Sequence, residues 1–168
     1  MFKPSSLALH PAMTACALAC SLLAATAHAQ DKVRLGFLTD MSSQYADGDG
    51  KGGATAIQMA IDDFGGKLLG KPIELIAADH QNKADIASTK SREWVDTQGV
   101  QLLIAGTNTA TALAMGQVAN EKKRVLLING AYSSGITGSN CSPYWVHYNS
   151  DTTAIARGTG KAVAEQGG

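Results

Sequence analysis

The sequence has no surplus of charge: 14 lysines and arginines stand against 14 aspartates and glutamates. Without a cationic excess, nothing is available to neutralise a run of phosphates or to coat an anionic membrane, so nucleic-acid binding has no electrostatic support. Catalytic and metal-holding sets are missing too. Neither His80 nor His147 has a second histidine or a cysteine at metal-ligand spacing. No G-x-S-x-G nucleophile elbow occurs. Asp62 and Asp63 are adjacent on an expected helix, where neighbours point about 100° apart rather than facing one another, so they read as solvated surface. No enzyme reading has a complete set of parts, and no cofactor is implied.

Cysteine is scarce, and two of the three residues lie in the first 30. That segment carries Lys3, no acid, an apolar run from Ala12 to Ala25, and then Ala27-His28-Ala29, the small-x-small pattern a signal peptidase accepts. The run is too short to span a bilayer comfortably. A cleaved signal peptide is expected over 1–29, which makes the mature chain periplasmic, with no stable membrane insertion. Lipid anchoring fits poorly, because neither Cys16 nor Cys20 has a leucine three residues upstream. Cys141 then remains alone, so no internal disulfide forms; in an oxidising compartment it is either buried and inert or paired with something outside the chain.

What is present is alternation. The 18 glycines suit many tight strand–helix connections. Short apolar runs at 33–38, 72–78, 100–105, 125–128 and 144–147 read as strands. Helical spacing predicts helices over 54–64, 84–97, 109–122 and 152–164. Strands and helices in strict alternation, with apolar strands, give an α/β fold: a parallel sheet with helices on both faces. Right-handed crossovers place every strand's C-terminal end on one edge, and ligands of such sheets bind beyond that edge. The informative loops are therefore 39–53, 79–83, 106–109 and 129–141.

In the third of these, Thr107, Asn108 or Thr109 can cap the following helix, whose free N–H groups make an anion site; ordinary capping explains the same residues equally well. The loop Asn129-Gly130-Ala131-Tyr132-Ser133-Ser134-Gly135 offers backbone groups, two hydroxyls and a ring without any charge, which orients a small polar ligand without reacting with it; an ordinary flexible turn explains the same residues. Tyr45 is a further ligand candidate, or else a cover for the sheet edge. Gly48, Gly50 and Gly53 satisfy G-x-G-x-x-G, and Asp79 closes the second strand, so a Rossmann-type nicotinamide oxidoreductase is a formal alternative. Against it, nine residues separate Leu38 from Gly48, where the fingerprint needs a tight turn at once, and a signal peptide directs the chain away from the cofactor.

Read in order, Met59-Ala60-Ile61-Asp62-Asp63-Phe64-Gly65-Gly66, Gly70-Lys71-Pro72-Ile73-Glu74-Leu75, Ala78-Asp79-His80-Gln81-Asn82-Lys83-Ala84-Asp85, Thr111-Ala112-Leu113-Ala114 and Leu127-Ile128-Asn129-Gly130-Ala131 resemble one family. It is the branched-chain amino-acid type of ABC-transporter substrate-binding protein, the type I periplasmic binding fold. The resemblance implies two hinged lobes closing on a solute that is handed to the permease of an importer. It implies that Thr109, with the N–H of Ala110, binds the ligand carboxylate, and that Gly130, Ala131, Tyr132 and Ser133 supply a carbonyl and a hydroxyl. Thr109 stands where the family usually has serine. Tyr132 stands about where threonine is common, so an aromatic or aliphatic acid is favoured over an α-amino acid. Family members are about twice as long, which implies a first lobe over 30–147, the start of a second lobe over 148–168, and a truncated chain whose last helix has an exposed apolar face. A periplasmic ligand-sensing lobe of a signalling system would use the same fold.

Overall fold

The computed structural model describes residues 32–167; the expected signal peptide over 1–29 lies outside them. The chain runs β1 (Val33–Thr39), α1 (Ala46–Asp49), α2 (Lys51–Asp63), β2 (Lys67–Leu68), β3 (Lys71–Asp79), α3 (Ala84–Thr97), β4 (Leu102–Thr107), α4 (Thr109–Lys122), β5 (Val125–Gly130), a 3-10 turn (Ser134–Ile136), β6 (Trp145–His147) and α5 (Thr152–Glu165). The sheet order is β2-β3-β1-β4-β5-β6. Strands β3, β1, β4, β5 and β6 are parallel, and β2 is antiparallel to β3.

Parallel register sets the core. Leu103 lies opposite Leu126 and Ala105 opposite Ile128; with side chains alternating along each strand, these four point to one face. There they meet Ala87, Trp94 and Val95 of α3 and Ala112, Met115 and Ala119 of α4, all buried. Fully burying a large apolar side chain of this kind contributes roughly 1.5–3 kcal/mol. The other face carries Phe37 and Ile104, buried with Ile61 of α2. Helices on both faces of a mostly parallel sheet are what the alternation predicts.

Three differences from the sequence expectation have physical causes. Strand β2 spans two residues, too few to show a period; the positive φ of Gly65 (93°), Gly66 (68°) and Gly70 (78°) turns the chain into and out of it. Helix α2 begins at Lys51 rather than 54, although interior glycine costs about 1 kcal/mol relative to alanine. Gly53 is accommodated by packing, since a Cβ there would stand 3.0 Å from the Phe37 ring. Strand β4 starts two residues late because the N–H of Val100 donates to Trp94 O at 3.0 Å, closing the end of α3. Cys141 is free and exposed, so of its two expected states the buried, inert thiol is the one the structure overturns. Helix α5 is capped by Asp151, which accepts from the Ala154 N–H at 2.7 Å, and it buries no residue.

Candidate functional site

Leaving β1, the chain passes to β3 on one side of it, while β4 lies on the other side. The loops that follow β1 and β4 therefore diverge, and the gap between them is the topological switch point at which open α/β sheets hold ligands. A cleft of about 350 Å³ opens at this edge, within the usual size range for small-molecule sites. It brings together Tyr45, Thr109, Gly130, Tyr132 and Ser133 from the sequence candidates. Thr107, Asn108 and Thr152 complete the lining. No member carries a formal charge.

Two candidates stand apart from the lining. The N–H of Ala110 donates to Asn108 Oδ1 at 2.7 Å, so that amide is already engaged by the helix cap. Ala131 is fully buried. Its carbonyl accepts from His147 Nε2 at 2.6 Å and from Asn149 Nδ2 at 3.0 Å, which ties β6 and the chain beyond it to the end of β5. Thr152 carried no signal in the sequence. It reaches the cleft because its N–H donates to Tyr132 O at 2.7 Å, a contact across twenty residues that no local pattern announces.

Asn108 is the cap residue of α4 and the most strained position at the edge, with φ 91° and ψ 124°. Such a conformation costs a non-glycine residue about 1–3 kcal/mol and persists only where its surroundings over-determine it. Here they do. Its N–H donates to Gly130 O at 3.3 Å, and its C=O accepts from the Ala112 N–H at 3.0 Å and the Thr111 hydroxyl at 2.9 Å. Strands β4 and β5 also approach so closely that a Cβ on Gly130 would lie 2.5 Å from Thr107 N.

The acids behind the cleft organise its walls. Asp40 Oδ2 accepts from the Tyr45 N–H at 3.0 Å and from the Ser43 hydroxyl, and Oδ1 from the Ser43 N–H at 2.8 Å and the Ser42 N–H at 3.3 Å. Burial alone would raise this carboxyl, but those four donors outweigh it and hold the pKa at about 2. Asp79 follows the same logic: burial raises it, and the N–H groups of Met41 (2.9 Å) and Gln81 (2.7 Å) help to bring it below the ordinary range. His80 is fully buried, and that burial lowers its pKa against the opposing pull of Asp40 and Asp79. Its Nδ1 accepts from the Asn82 N–H at 3.0 Å, which leaves the ring proton on Nε2.

The glycine stretch before α2 is also accounted for. Asp49, inside it, accepts from the Thr39 hydroxyl at 2.7 Å and from the Thr107 hydroxyl. A Cβ on Gly106 would lie 2.7 Å from Asp49 Oδ2. A pyrophosphate brought to these glycines would meet that carboxylate, and Gly50 is needed because a Cβ would fall 2.4 Å from Ala46 O in the turn between α1 and α2. Among the described residues, no group of three or more His, Cys, Asp or Glu is placed to hold a metal ion.

Residues 32–168 match the family model described as periplasmic binding protein. A periplasmic binding protein from Burkholderia mallei is similar at 60% identity and TM-score 0.80, over 82% of this chain and 37% of that one. A branched-chain amino-acid ABC transporter periplasmic ligand-binding protein from Burkholderia xenovorans shares 41% identity at TM-score 0.76, over 80% of this chain and 36% of that one. A solute-binding protein of an ABC transporter from Rhodopseudomonas palustris, in complex with 3,4-dihydroxybenzoic acid, shares 27% identity at TM-score 0.67, over 73% of this chain and 33% of that one. The chain thus spans about a third of the length of these relatives. No curated protein matches it.

Proposed function

This chain belongs to the periplasmic binding protein family, and from that premise we propose that it forms one jaw of a non-enzymatic solute-binding component of an ABC importer. In this reading residues 30–147 make the first lobe and 148–168 lead out of it toward a second. The signal peptide over 1–29 delivers the chain to the periplasm, and a membrane permease reads the closed form. The solute is a small carboxylate. Its negative end docks at Thr109, where the start of α4 offers a hydroxyl and the positive end of the helix dipole. Asn108 keeps the Ala110 N–H, so the hydroxyl of Thr109 is the principal donor in place of a Thr109–Ala110 pair. Gly130, Tyr132 and Ser133 flank the solute on one side and Tyr45 on the other; Ala131 contributes by holding the end of β5.

One observation carries this reading: an uncharged cleft with two tyrosines sits over the beginning of a helix at the switch point of the sheet. The uncharged lining also bears on the solute. An α-amino acid would bring an ammonium group with no anionic partner in this jaw, and an unpaired charge is costly to desolvate. An aromatic acid would instead lay its ring against Tyr132 or Tyr45. The Rhodopseudomonas relative in complex with 3,4-dihydroxybenzoic acid supports that preference.

The test is a titration of ¹⁵N-labelled protein with benzoate, 3,4-dihydroxybenzoate and L-isoleucine, following backbone amide shifts so that weak binding in the millimolar range registers. Shifts at Thr109 and Gly130 that saturate with the aromatic acids, and more weakly with L-isoleucine, are expected. Silence at Thr109 with every probe up to roughly 10 mM would remove the site.

A further inference from the structure

We propose that Asn82, which lies outside the cleft lining, is a positioning residue for the solute edge: it fixes the orientation of the Asn108 amide and thereby the start of α4. The inference rests on the binding role proposed for Thr109.

Both ends of the Asn108 side chain are committed. Its Oδ1 accepts from the Ala110 N–H at 2.7 Å, and its Nδ2 donates to Asn82 Oδ1. The two bonds demand one rotamer of the amide, since a flipped group would put NH2 against the Ala110 N–H and oxygen against oxygen at Asn82. The Ala110 N–H already calls for oxygen on its side, and Asn82 clamps the amide from the other end by accepting from Nδ2, which holds the capping rotamer in place. Its own place is fixed from the interior of the sheet. The Asn82 N–H donates to His80 Nδ1 at 3.0 Å, and the His80 N–H donates to Thr39 O at 2.9 Å. The result is a chain of oriented bonds from the end of β1 through His80, Asn82 and Asn108 to Ala110, the residue after Thr109.

The loop that carries Asn82 is shaped for this task. Gln81 and Asn82 both have left-handed backbone, at φ 52° and 57°. Of the non-glycine residues, asparagine and aspartate enter that region most readily. The sequence Asp79-His80-Gln81-Asn82 thus carries an anchor, a buried acceptor and a strut. None of the four lines the cleft.

Asn82→Gly is the clean deletion: glycine keeps the φ of 57° and the N–H to His80 while removing the side-chain acceptor. Asn82→Asp keeps an oxygen acceptor for Asn108 Nδ2. In the 168-residue chain, hydrogen exchange at the Ala110 amide should quicken about twofold to tenfold in N82G, as loss of one bond of this kind predicts. Amides of β4 should keep wild-type protection, and N82D should restore Ala110. In N82G the benzoate concentration that half-saturates the Thr109 shift should rise about twofold to tenfold. Unchanged Ala110 exchange in N82G overturns the proposal, as does faster exchange with an unchanged benzoate response. If the wild-type Thr109 amide ignores both benzoate and L-isoleucine, the binding role itself fails and the positioning role falls with it. A wild-type response that N82G retains removes the positioning role alone.

Discussion

In the proposed reading, the Thr109 hydroxyl is the donor that meets the carboxylate of the solute. A hydrogen bond to a charged group contributes about 1.5–3 kcal/mol, so Thr109→Val should weaken benzoate binding roughly 10- to 100-fold, whereas Thr109→Ser should keep most of it. Equal affinity for the valine and serine variants in the same amide titration would mean that the carboxylate docks elsewhere. Asp40 acts one step back, by holding the Tyr45 N–H at 3.0 Å. Its carboxyl titrates at about 2 in the fold against an ordinary value of 3.8. Between those values the folded state binds fewer protons than the unfolded state. The stabilisation is therefore complete above the unfolded value and is lost as pH falls through about 2. Asp40→Asn sets an NH2 against donors and should lower the urea midpoint near neutrality. The gap to wild type should narrow steadily in the acid window between the two values; a gap of constant size across it would show that Asp40 does not act through its charge.

Helix α4 is held by contacts of a different kind at its middle. A Cβ on Gly116 would lie 2.2 Å from the Trp145 ring, whose Nε1 donates to Gly116 O at 3.2 Å. Gly116→Ala should thus destabilise the fold by about 1–3 kcal/mol, the usual cost of overpacking, and should redshift Trp145 fluorescence as the ring is pushed outward. An unchanged emission spectrum would place the ring elsewhere. Helices α3 and α4 keep the expected bounds; α3 carries an apolar stripe and meets a clear stop at Gly99, whereas α4 has little contrast between its faces and ends at Lys123 through a left-handed backbone, φ 52°, that no sequence signal marks. Strand β2 and helix α1 were not, being too short to show any period. At the site, Tyr45, Thr109, Gly130, Tyr132 and Ser133 could be drawn together because sheet topology sends every loop after a strand to the same edge. Asn82 could not, since its role depends on a side-chain bond across 26 residues. The engagement of Ala110 was likewise hidden, because Thr107, Asn108 and Thr109 are all competent caps and only the positive φ of Asn108 decides among them.

For the molecule as a whole, the strand order divides responsibility unevenly. The face under α3 and α4 is densely packed, and strands β1, β4 and β5 carry the cleft at their C-terminal ends. Beyond β6 the chain contributes through Asn149, Asp151 and Thr152 and then stops packing: Ile155 and Val163 of α5 are 46% and 49% exposed. A 14-residue helix with glycines at 158 and 160 is marginal in water when nothing covers it. Its hold on the rest of the fold is then confined to its first turn, where the Thr152 N–H meets Tyr132 O and the Thr152 hydroxyl accepts from the Ser134 N–H at 3.4 Å. Removing 156–168 should therefore leave the urea midpoint of the sheet unchanged within error, while Thr152→Pro, which is tolerated at the first position of a helix but lacks the N–H that meets Tyr132 O, should loosen Tyr132 and raise the benzoate concentration needed at the cleft. In the intact chain, amides from 156 to 165 should exchange within about an order of magnitude of the unstructured rate, against strong protection in β4. A drop in midpoint of more than about 1 kcal/mol equivalent on removing 156–168 is well outside what an unburied surface segment contributes. It would mean that α5 packs on the sheet in solution, and the cleft would then have a second wall within this chain.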